Sequence, residues 1–290
     1  MGRDLYATFP AARAVFTHAD SILGIALSRL CFDGPPEPLN DTLNTQPAIL
    51  ATSIAALRVL EERGANSPAY IAGHSMGEFS ALVAAGALSF ENGLMLVRDR
   101  GRLMRQAGER SPGGMAAILG LESGSLKAIC TAVREQSGEH VGIANDNCPG
   151  QLVISGTLLA LERAMELAKE RGARRVIRLA VSIAAHSPLM AEAAAEFCRL
   201  LDAIPFHEPA VPIVANATAG PLTDPDEIRD ALGQQLTSPV RWTESVRWMI
   251  GQGVTRFVEV GPKGVLTSLL RRIDRAVEGL TTDQVLGWVG

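Results

Sequence analysis

The residues best suited to chemistry lie in one short segment, Gly73-His74-Ser75-Met76-Gly77. An apolar run ending at Gly73 predicts a strand before it, and small apolar residues after Gly77 predict a helix. In such a strand–turn–helix the serine hydroxyl projects outward, and we expect flanking glycines because larger side chains would collide. The Met76 N–H and the helix start would stabilise negative charge on an attacked carbonyl oxygen. The segment predicts a nucleophile, with a purely structural turn as the alternative.

A nucleophilic serine needs a base, and the chain contains five histidines. His186 follows the uncharged stretch 179–185 and begins a turn into a predicted helix, which places its imidazole at the end of a strand. We predict that His186 is the base, with a buried structural histidine as the alternative. His74 adjoins Ser75, and neighbouring side chains diverge at such a turn, so we expect it to be structural. The other three are expected at the surface: His18, His140 and His207.

Arg100 is the third candidate, because it lies in the middle of the apolar face of a helix predicted over 91–108. That face is formed by Leu96, Val97, Leu103 and Met104. An isolated buried cation is unfavourable, so Arg100 needs a partner. The partner is either an internal Asp or Glu or a substrate carboxylate held by the guanidinium fork, and the residues alone leave both open. The remaining arginines of this helix are expected to be solvated: Arg98, Arg102 and Arg105.

The composition favours a folded protein of 290 residues, with 47% hydrophobic and 20% charged residues. A net charge of −4 argues against general nucleic-acid binding. Four dispersed cysteines without a C-x-x-C pair predict neither a zinc site nor a disulfide framework, and reduced thiols suit the cytoplasm. The longest uncharged run, Thr42 to Leu57, is shorter than the ~20 residues that span a bilayer. No apolar segment follows Met1, so we expect an intracellular protein without a signal peptide.

The predicted elements form two groups around these residues. In the middle of the chain strands and helices follow the order β-α-β-β-α-β, which predicts an inserted ferredoxin-like subdomain at 112–181. The predicted elements outside it are helices at 11–31, 46–63, 78–88, 91–108, 187–203, 225–236, 242–252 and from 264, and strands at 70–73, 211–215 and 256–260. The last ten residues are expected to form a loosely held tail.

The segment from Ala72 to Leu82 closely resembles the nucleophile segment of malonyl-CoA:acyl-carrier-protein transacylases. Arg100 matches the family's arginine that binds the malonyl carboxylate, and His186 matches its catalytic histidine. Gln235 matches a glutamine that lines the site and whose main-chain carbonyl orients that histidine. The segments Asn145 to Gln151 and Val258 to Pro262 also resemble family segments, so the resemblance covers essentially the whole chain.

The resemblance implies an α/β fold, with a hydrolase-like core of parallel sheet and flanking helices (1–111 and 182–290) and the inserted subdomain. It implies transfer of malonyl from malonyl-CoA to the phosphopantetheine thiol of acyl carrier protein, through a malonyl-serine, for fatty acid biosynthesis. It implies no cofactor, no metal and no membrane, and we expect a monomer. The residues assigned by this resemblance are Ser75 and His186 for catalysis and Arg100, Gln235, Met76, Asn145 and Asn147 for substrate binding. Candidate basic residues for carrier docking are Lys169, Arg171, Arg174, Arg175, Lys263, Arg271 and Arg272.

The first residues depart from the family pattern. Family members open with a strand and a Gly-Gln-Gly-Ser-Gln loop, whereas Met1 to Leu5 aligns with a later segment. The loop glutamine's N–H is the family's second oxyanion donor beside that of Met76. We therefore expect one donor and one strand to be absent, and a weaker, less stable enzyme as the result.

The sequence leaves other functions open as alternatives. An α/β-hydrolase esterase or lipase keeps its histidine late in the chain, but none follows His207, and no H-G-G motif is present. A patatin-like hydrolase needs Asp-Gly after the serine, and the pair Asp33-Gly34 precedes it. A stand-alone acyltransferase of polyketide synthesis and an inactive carrier-binding relic are the closer alternatives.

Overall fold

The computed structural model describes residues 1–287, in which helices surround three small sheets. No helix of these residues is long and apolar enough to cross a membrane. The helices are α1 (Arg3–Thr8), α2 (Pro10–Leu23), α3 (Leu27–Asp33), α4 (Pro36–Asn40), α5 (Thr42–Glu62), α6 (Gly77–Ala84), α7 (Phe90–Arg110), α8 (Ser123–Ser137), α9 (Leu158–Glu170), α10 (Ala191–Asp202), α11 (Pro225–Gln235), α12 (Trp242–Gly251), α13 (Val265–Ile273) and α14 (Thr282–Leu286), with a short 3-10 helix at Pro188–Met190. The strands are β1 (Ile71–Ala72), β2 (Gly113–Leu119), β3 (Val141–Cys148), β4 (Gln151–Thr157), β5 (Arg175–Arg178), β6 (Ile213–Val214), β7 (Pro221–Leu222), β8 (Arg256–Glu259) and β9 (Glu278–Thr281).

The first sheet brings two chain segments together at one edge. β1 pairs in parallel with β6, with Ile71 opposite Ile213 and Ala72 opposite Val214, and β7 adds an antiparallel strand. Because the carboxyl ends of parallel strands meet at the same edge, the residues that follow β1 lie beside those that follow β6. A second parallel pair, β8 with β9, forms a separate sheet. The parallel pairing expected of the core is therefore present in two small sheets, one of them mixed.

The helices α5 and α7 pack against each other and against α6, the helix that follows β1. α5 is buried along most of its length, including the polar Gln46. At the crossing point, a Cβ on Gly101 would lie 2.5 Å from the Thr42 carbonyl oxygen. Only glycine allows so close an approach of the two backbones. The contact places Arg100, the neighbour of Gly101, against the start of α5.

The middle of the chain has the predicted β-α-β-β-α-β order. Its four antiparallel strands lie in the order β3-β4-β2-β5, and α8 and α9 cover them with a separate apolar cluster. A backbone bridge at Val240 is one of the contacts that join this sheet to the rest of the protein. Asn145 pairs with Val240, the Asp146 N–H donates to the Val240 carbonyl at 2.9 Å, and the Val240 N–H donates to the Ala144 carbonyl at 2.8 Å.

Several predicted boundaries were wrong. The helix predicted over 11–31 ends at Leu23, because Gly24 adopts a left-handed φ of 63° and a new helix begins at Leu27. The loosely held tail is wrong for 281–287, since Thr281 and Gln284 form a capping box that starts α14. Residues 288–290 of that predicted tail lie outside the described residues.

Candidate active site

The turn between β1 and α6 holds Ser75 in a strained conformation. Its φ is 51°, in the left-handed region that a residue with a side chain rarely adopts. A Cβ on Gly73 would lie 1.9 Å from the Gly77 carbonyl oxygen, so the turn closes only if residue 73 is glycine. The expectation was wrong for Gly77, where a Cβ would meet no atom within 4 Å. Crowding therefore arises on the strand side of the turn, where the chain folds back over itself.

Asn216 holds the turn from the neighbouring strand. Its Oδ1 accepts from the Ser75 N–H at 2.6 Å, and its Nδ2 donates to the Gly73 carbonyl at 2.6 Å. Asn216 follows β6 just as the turn follows β1, which explains why these residues meet. The Met76 N–H has no acceptor among the described residues, whereas the Ser75 N–H and the Gly77 N–H are both bonded. The free Met76 N–H is available to an oxyanion.

His186 contacts the Ser75 hydroxyl and is held from behind by the main chain. Its Nε2 lies 2.8 Å from Ser75 Oγ, and its Nδ1 lies 2.9 Å from the Gln235 carbonyl and 3.1 Å from the Ser238 carbonyl. Carbonyl oxygens only accept hydrogen bonds, so Nδ1 carries the proton and Nε2 is free to accept one. Burial, helped by the charge of Arg100, lowers the pKa of His186 to about 3. The imidazole is therefore a neutral base at neutral pH.

Arg100 is almost completely buried, with 2% of its surface exposed. Its guanidinium donates to Ser75 Oγ at 3.1 Å, Gln46 Oε1 at 2.8 Å, Gln235 Oε1 at 3.0 Å and the Met104 sulfur at 3.2 Å. Each acceptor is neutral, and no ion pair within 4.0 Å involves Arg100 anywhere in residues 1–287. Burial lowers the Arg100 pKa to about 10, so the group stays charged at neutral pH. The alternative of an internal Asp or Glu in direct contact with Arg100 was therefore wrong, although the buried Glu78 still acts on its charge.

A buried acid lies on the other side of Gln235. The Gln235 Nε2 donates to the Ser75 carbonyl at 3.0 Å and to Glu78 Oε2, while Glu78 Oε1 accepts from the Asn216 N–H at 3.1 Å. Burial raises the pKa of Glu78 to about 7, against the lowering effect of these donors and of Arg100. The sequence prediction missed Gln46, Glu78 and Asn216. The available signal was a polar residue isolated within, or directly after, an apolar element.

Two further predicted residues lie beside the site without contacting Ser75. Asn147 Oδ1 lies 2.8 Å from His74 Nε2, and the His74 ring packs edge-on against Trp242 at 5.6 Å between ring centroids. Burial lowers the His74 pKa. Asn145 lies in the bridge to Val240. His74 thus has structural contacts, and His18 pairs at the surface with Glu91 at 3.2 Å.

The described residues contain no cluster of three side chains that could hold a metal ion. Arg98 is half-buried and donates to the Leu23 carbonyl, while Arg102 and Arg105 form ion pairs at the surface. Of the four arginines predicted on α7, Arg100 is the one that the fold directs to Ser75.

Comparison with known proteins gives a consistent result along the chain. The family described as "Acyl transferase domain" matches residues 1–289. A malonyl CoA-acyl carrier protein transacylase of Bacillus subtilis (strain 168) is 47% identical over 278 residues, covering 96% of this chain and 87% of that protein. The crystal structure of an acyl carrier protein S-malonyltransferase from Vibrio cholerae O1 is 44% identical with a TM-score of 0.93, covering 97% of this chain and 91% of that chain. A malonyl-transacylase solved in complex with a type II PKS acyl-carrier protein is 40% identical with a TM-score of 0.96, covering 99% of this chain and 94% of that chain.

Proposed function

Because this chain belongs to the malonyl CoA-acyl carrier protein transacylase family of acyl transferases, we propose that Ser75 carries the malonyl group between its donor and its acceptor. The chain transfers malonyl from malonyl-CoA to acyl carrier protein. One observation carries the assignment of residues: the Ser75 hydroxyl contacts both the neutral base His186 and the buried cation Arg100. A nucleophile, a base and a carboxylate-binding group thus meet at one oxygen atom.

In the first half of the reaction, His186 Nε2 takes the hydroxyl proton as Ser75 Oγ attacks the thioester carbonyl carbon. The carbonyl electrons move onto oxygen, and the Met76 N–H stabilises the resulting oxyanion. The carbon–sulfur bond then breaks, and the coenzyme A sulfur receives the proton from His186 Nε2. A malonyl ester of Ser75 remains.

In the second half, the phosphopantetheine thiol of the carrier protein gives its proton to His186 and attacks the ester carbonyl. The carbon–oxygen bond breaks, and Ser75 recovers its proton from His186. During both halves the carbonyls of Gln235 and Ser238 accept from Nδ1–H, which keeps the ring oriented and stabilises its positive charge. Two backbone carbonyls thus take the place that a carboxylate has in a Ser-His-Asp triad.

Arg100 gives the site its preference for a dicarboxylic acyl group. The free carboxylate of the malonyl ester supplies a counter-charge in direct contact with the buried guanidinium, which no acid of the described residues provides. A guanidinium binds a carboxylate through two parallel hydrogen bonds, which an acetyl group cannot form. We also assign Gln235 to substrate binding, together with Asn145 and Asn147, which lie farther from Ser75.

The chain divides in this proposal into an α/β hydrolase-like core, residues 1–111 and 182–290, and a ferredoxin-like subdomain, residues 112–181. Support comes from the separate apolar cluster beneath α8 and α9, which has its own set of buried side chains. The four cysteines are free, which suits a reducing compartment such as the cytoplasm. We place the enzyme in fatty acid biosynthesis. Service to a polyketide carrier is the second candidate, because a similar solved structure holds a type II PKS acyl-carrier protein.

The proposal is tested by mass spectrometry of the intact protein after mixing with malonyl-CoA. We expect one malonyl group on the peptide containing Ser75, and its loss when holo acyl carrier protein is added. Ser75→Ala should form no adduct, whereas Ser80→Ala, one turn further along α6, should still form it. An unmodified wild-type protein would support a carrier-binding relic, and an adduct on Ser75→Ala would exclude Ser75 as the nucleophile.

A further inference from the structure

Glu78 is a buried acid for which the reaction described above has no use. It lies one turn after Ser75 on α6, with 3% of its surface exposed. Its two oxygens accept from two different elements, the Asn216 N–H after β6 and the Gln235 side chain at the end of α11. No ion pair within 4.0 Å involves Glu78 in the described part of the chain. A carboxylate this deeply buried is normally neutralised by a contacting cation.

The Gln235 amide separates this acid from the buried cation. Arg100 Nη2 donates to its Oε1 at 3.0 Å, and its Nε2 donates to Glu78 Oε2 and to the Ser75 carbonyl. The carbonyl end of the amide therefore faces the positive charge, and the NH₂ end faces the negative one. If the amide were reversed, its NH₂ group would face the N–H groups of Arg100, and its carbonyl oxygen would face the carboxylate of Glu78. Both contacts would then be repulsive.

We propose that Glu78 is a positioning residue for malonyl selectivity, because it fixes the Gln235 amide that holds Arg100 beside Ser75. This inference rests on the proposed function, in which Ser75 carries malonyl and Arg100 binds its carboxylate. Glu78 compensates the charge of Arg100 through the amide and does not contact it. A direct ion pair would occupy the guanidinium and compete with the substrate carboxylate, whereas a cation without any counter-charge would be strongly disfavoured in the interior.

Glu78→Gln separates this role from simple space-filling. Glutamine has nearly the same shape but offers one acceptor where the site presents two donors. The Asn216 N–H belongs to the backbone and can only donate, so the mismatch falls on Gln235. Its amide is then driven to turn or move, and its NH₂ group points toward Arg100. Aspartate keeps the charge and both acceptors on a shorter side chain.

The experiment measures the rates of Ser75 acylation by malonyl-CoA and by acetyl-CoA, and reports their ratio. The ratio does not depend on how much of the protein is active, so partial misfolding leaves it unchanged. We expect Glu78→Gln to lower the ratio roughly 10- to 100-fold, as for the loss of one charge-assisted hydrogen bond. The Glu78→Gln substitution should raise KM for malonyl-CoA more than it lowers kcat. Glu78→Asp should retain more of the preference for malonyl over acetyl than Glu78→Gln does. Glu91→Gln, at the surface of α7, is the matched control and should not change the ratio.

A fall of both rates by the same factor would overturn the inference, since a purely structural residue affects the two donors alike. If Glu78→Gln does not fold, the same two rates are measured on Glu78→Asp. A reduced rate of acylation with an unchanged malonyl-to-acetyl ratio in that variant would also overturn the inference. Failure of the proposed function is distinguishable, because it appears in the wild-type protein. A wild type that is not malonylated on Ser75, or that does not prefer malonyl over acetyl, refutes the assignment of Ser75 or Arg100 whatever the variants do.

Discussion

Replacing Arg100 with alanine should change which acyl group the enzyme accepts. In the proposed complex the malonyl carboxylate contacts Arg100, which is buried and donates to Ser75 Oγ. In Arg100→Ala that carboxylate would be buried without a partner, whereas an acetyl group has no charge to compensate. We therefore expect malonyl transfer to fall steeply, while acetyl transfer holds or rises.

The size of the effect follows from the burial of the pair. Removing one partner of a buried ion pair costs about 3–5 kcal/mol, and about 1.4 kcal/mol corresponds to a factor of ten. The ratio of kcat/KM for malonyl-CoA to that for acetyl-CoA should therefore fall roughly 100- to 4000-fold. Arg100→Lys keeps the charge without the planar fork and should lie between wild type and alanine.

The assay needs a control for stability, because alanine also leaves Gln46 Oε1 and Gln235 Oε1 without their donor. Each unsatisfied buried acceptor costs about 1–3 kcal/mol, which a melting temperature would detect. Arg102→Ala is the matched control on the same helix, since Arg102 faces outward and pairs with Asp99 and Glu196. An unchanged malonyl-to-acetyl ratio in Arg100→Ala would refute the assignment of Arg100 to the substrate carboxylate.

Three further predictions concern the base, the turn and the carrier. The pKa of His186 is lowered from 6.5 to about 3, so between these pH values the unfolded chain binds one more proton than the folded chain, and the free energy of unfolding should fall as pH drops from 6.5 toward 3. Urea unfolding of His186→Gln should show a shallower dependence of that free energy on pH. An equal pH dependence in the wild type and the variant would contradict the burial effect. Gly73→Ala should prevent folding, whereas Gly77→Ala should give soluble protein with a near-normal circular dichroism spectrum; a well-folded Gly73→Ala would show that the turn can relax. Transfer to the carrier should weaken with added salt, and carrier affinity insensitive to ionic strength would exclude docking by charge. The exposed basic residues to neutralise in that experiment are Lys169, Arg171, Arg174, Arg175, Lys263, Arg271 and Arg272.

The residues to which we assign the reaction could be proposed from the sequence because each stands out locally, and the structure brings them together at Ser75 Oγ. Ser75 lies in a glycine-flanked turn, Arg100 interrupts an apolar helix face, and His186 ends an uncharged stretch. The resemblance to a known family added Gln235. Each of these signals belongs to a residue and its immediate neighbours, so no knowledge of the tertiary contacts was needed.

The residues that hold the site could not be predicted in this way. Gln46, Glu78 and Asn216 are recognised by what they contact, and those contacts depend on which helices cross and which strands pair. The approach of α5 to α7 at Gly101 and the parallel pairing of β1 with β6 are both tertiary facts. Periodicity also gave no warning of the helix break at Gly24, because the apolar pattern continues on both sides of it.

The main-chain carbonyls that hold His186 have a consequence for how mutations act on this enzyme. In a Ser-His-Asp triad, one codon change can delete the group that orients the base. Here the Gln235 and Ser238 carbonyls remain whatever side chains stand at these positions. The orientation of the base is therefore robust to single side-chain substitutions and vulnerable to insertions, deletions or prolines that reroute the backbone over 235–240. An alanine scan of the chain would therefore identify a nucleophile and a base, but no side chain that takes the place of the aspartate in a Ser-His-Asp triad.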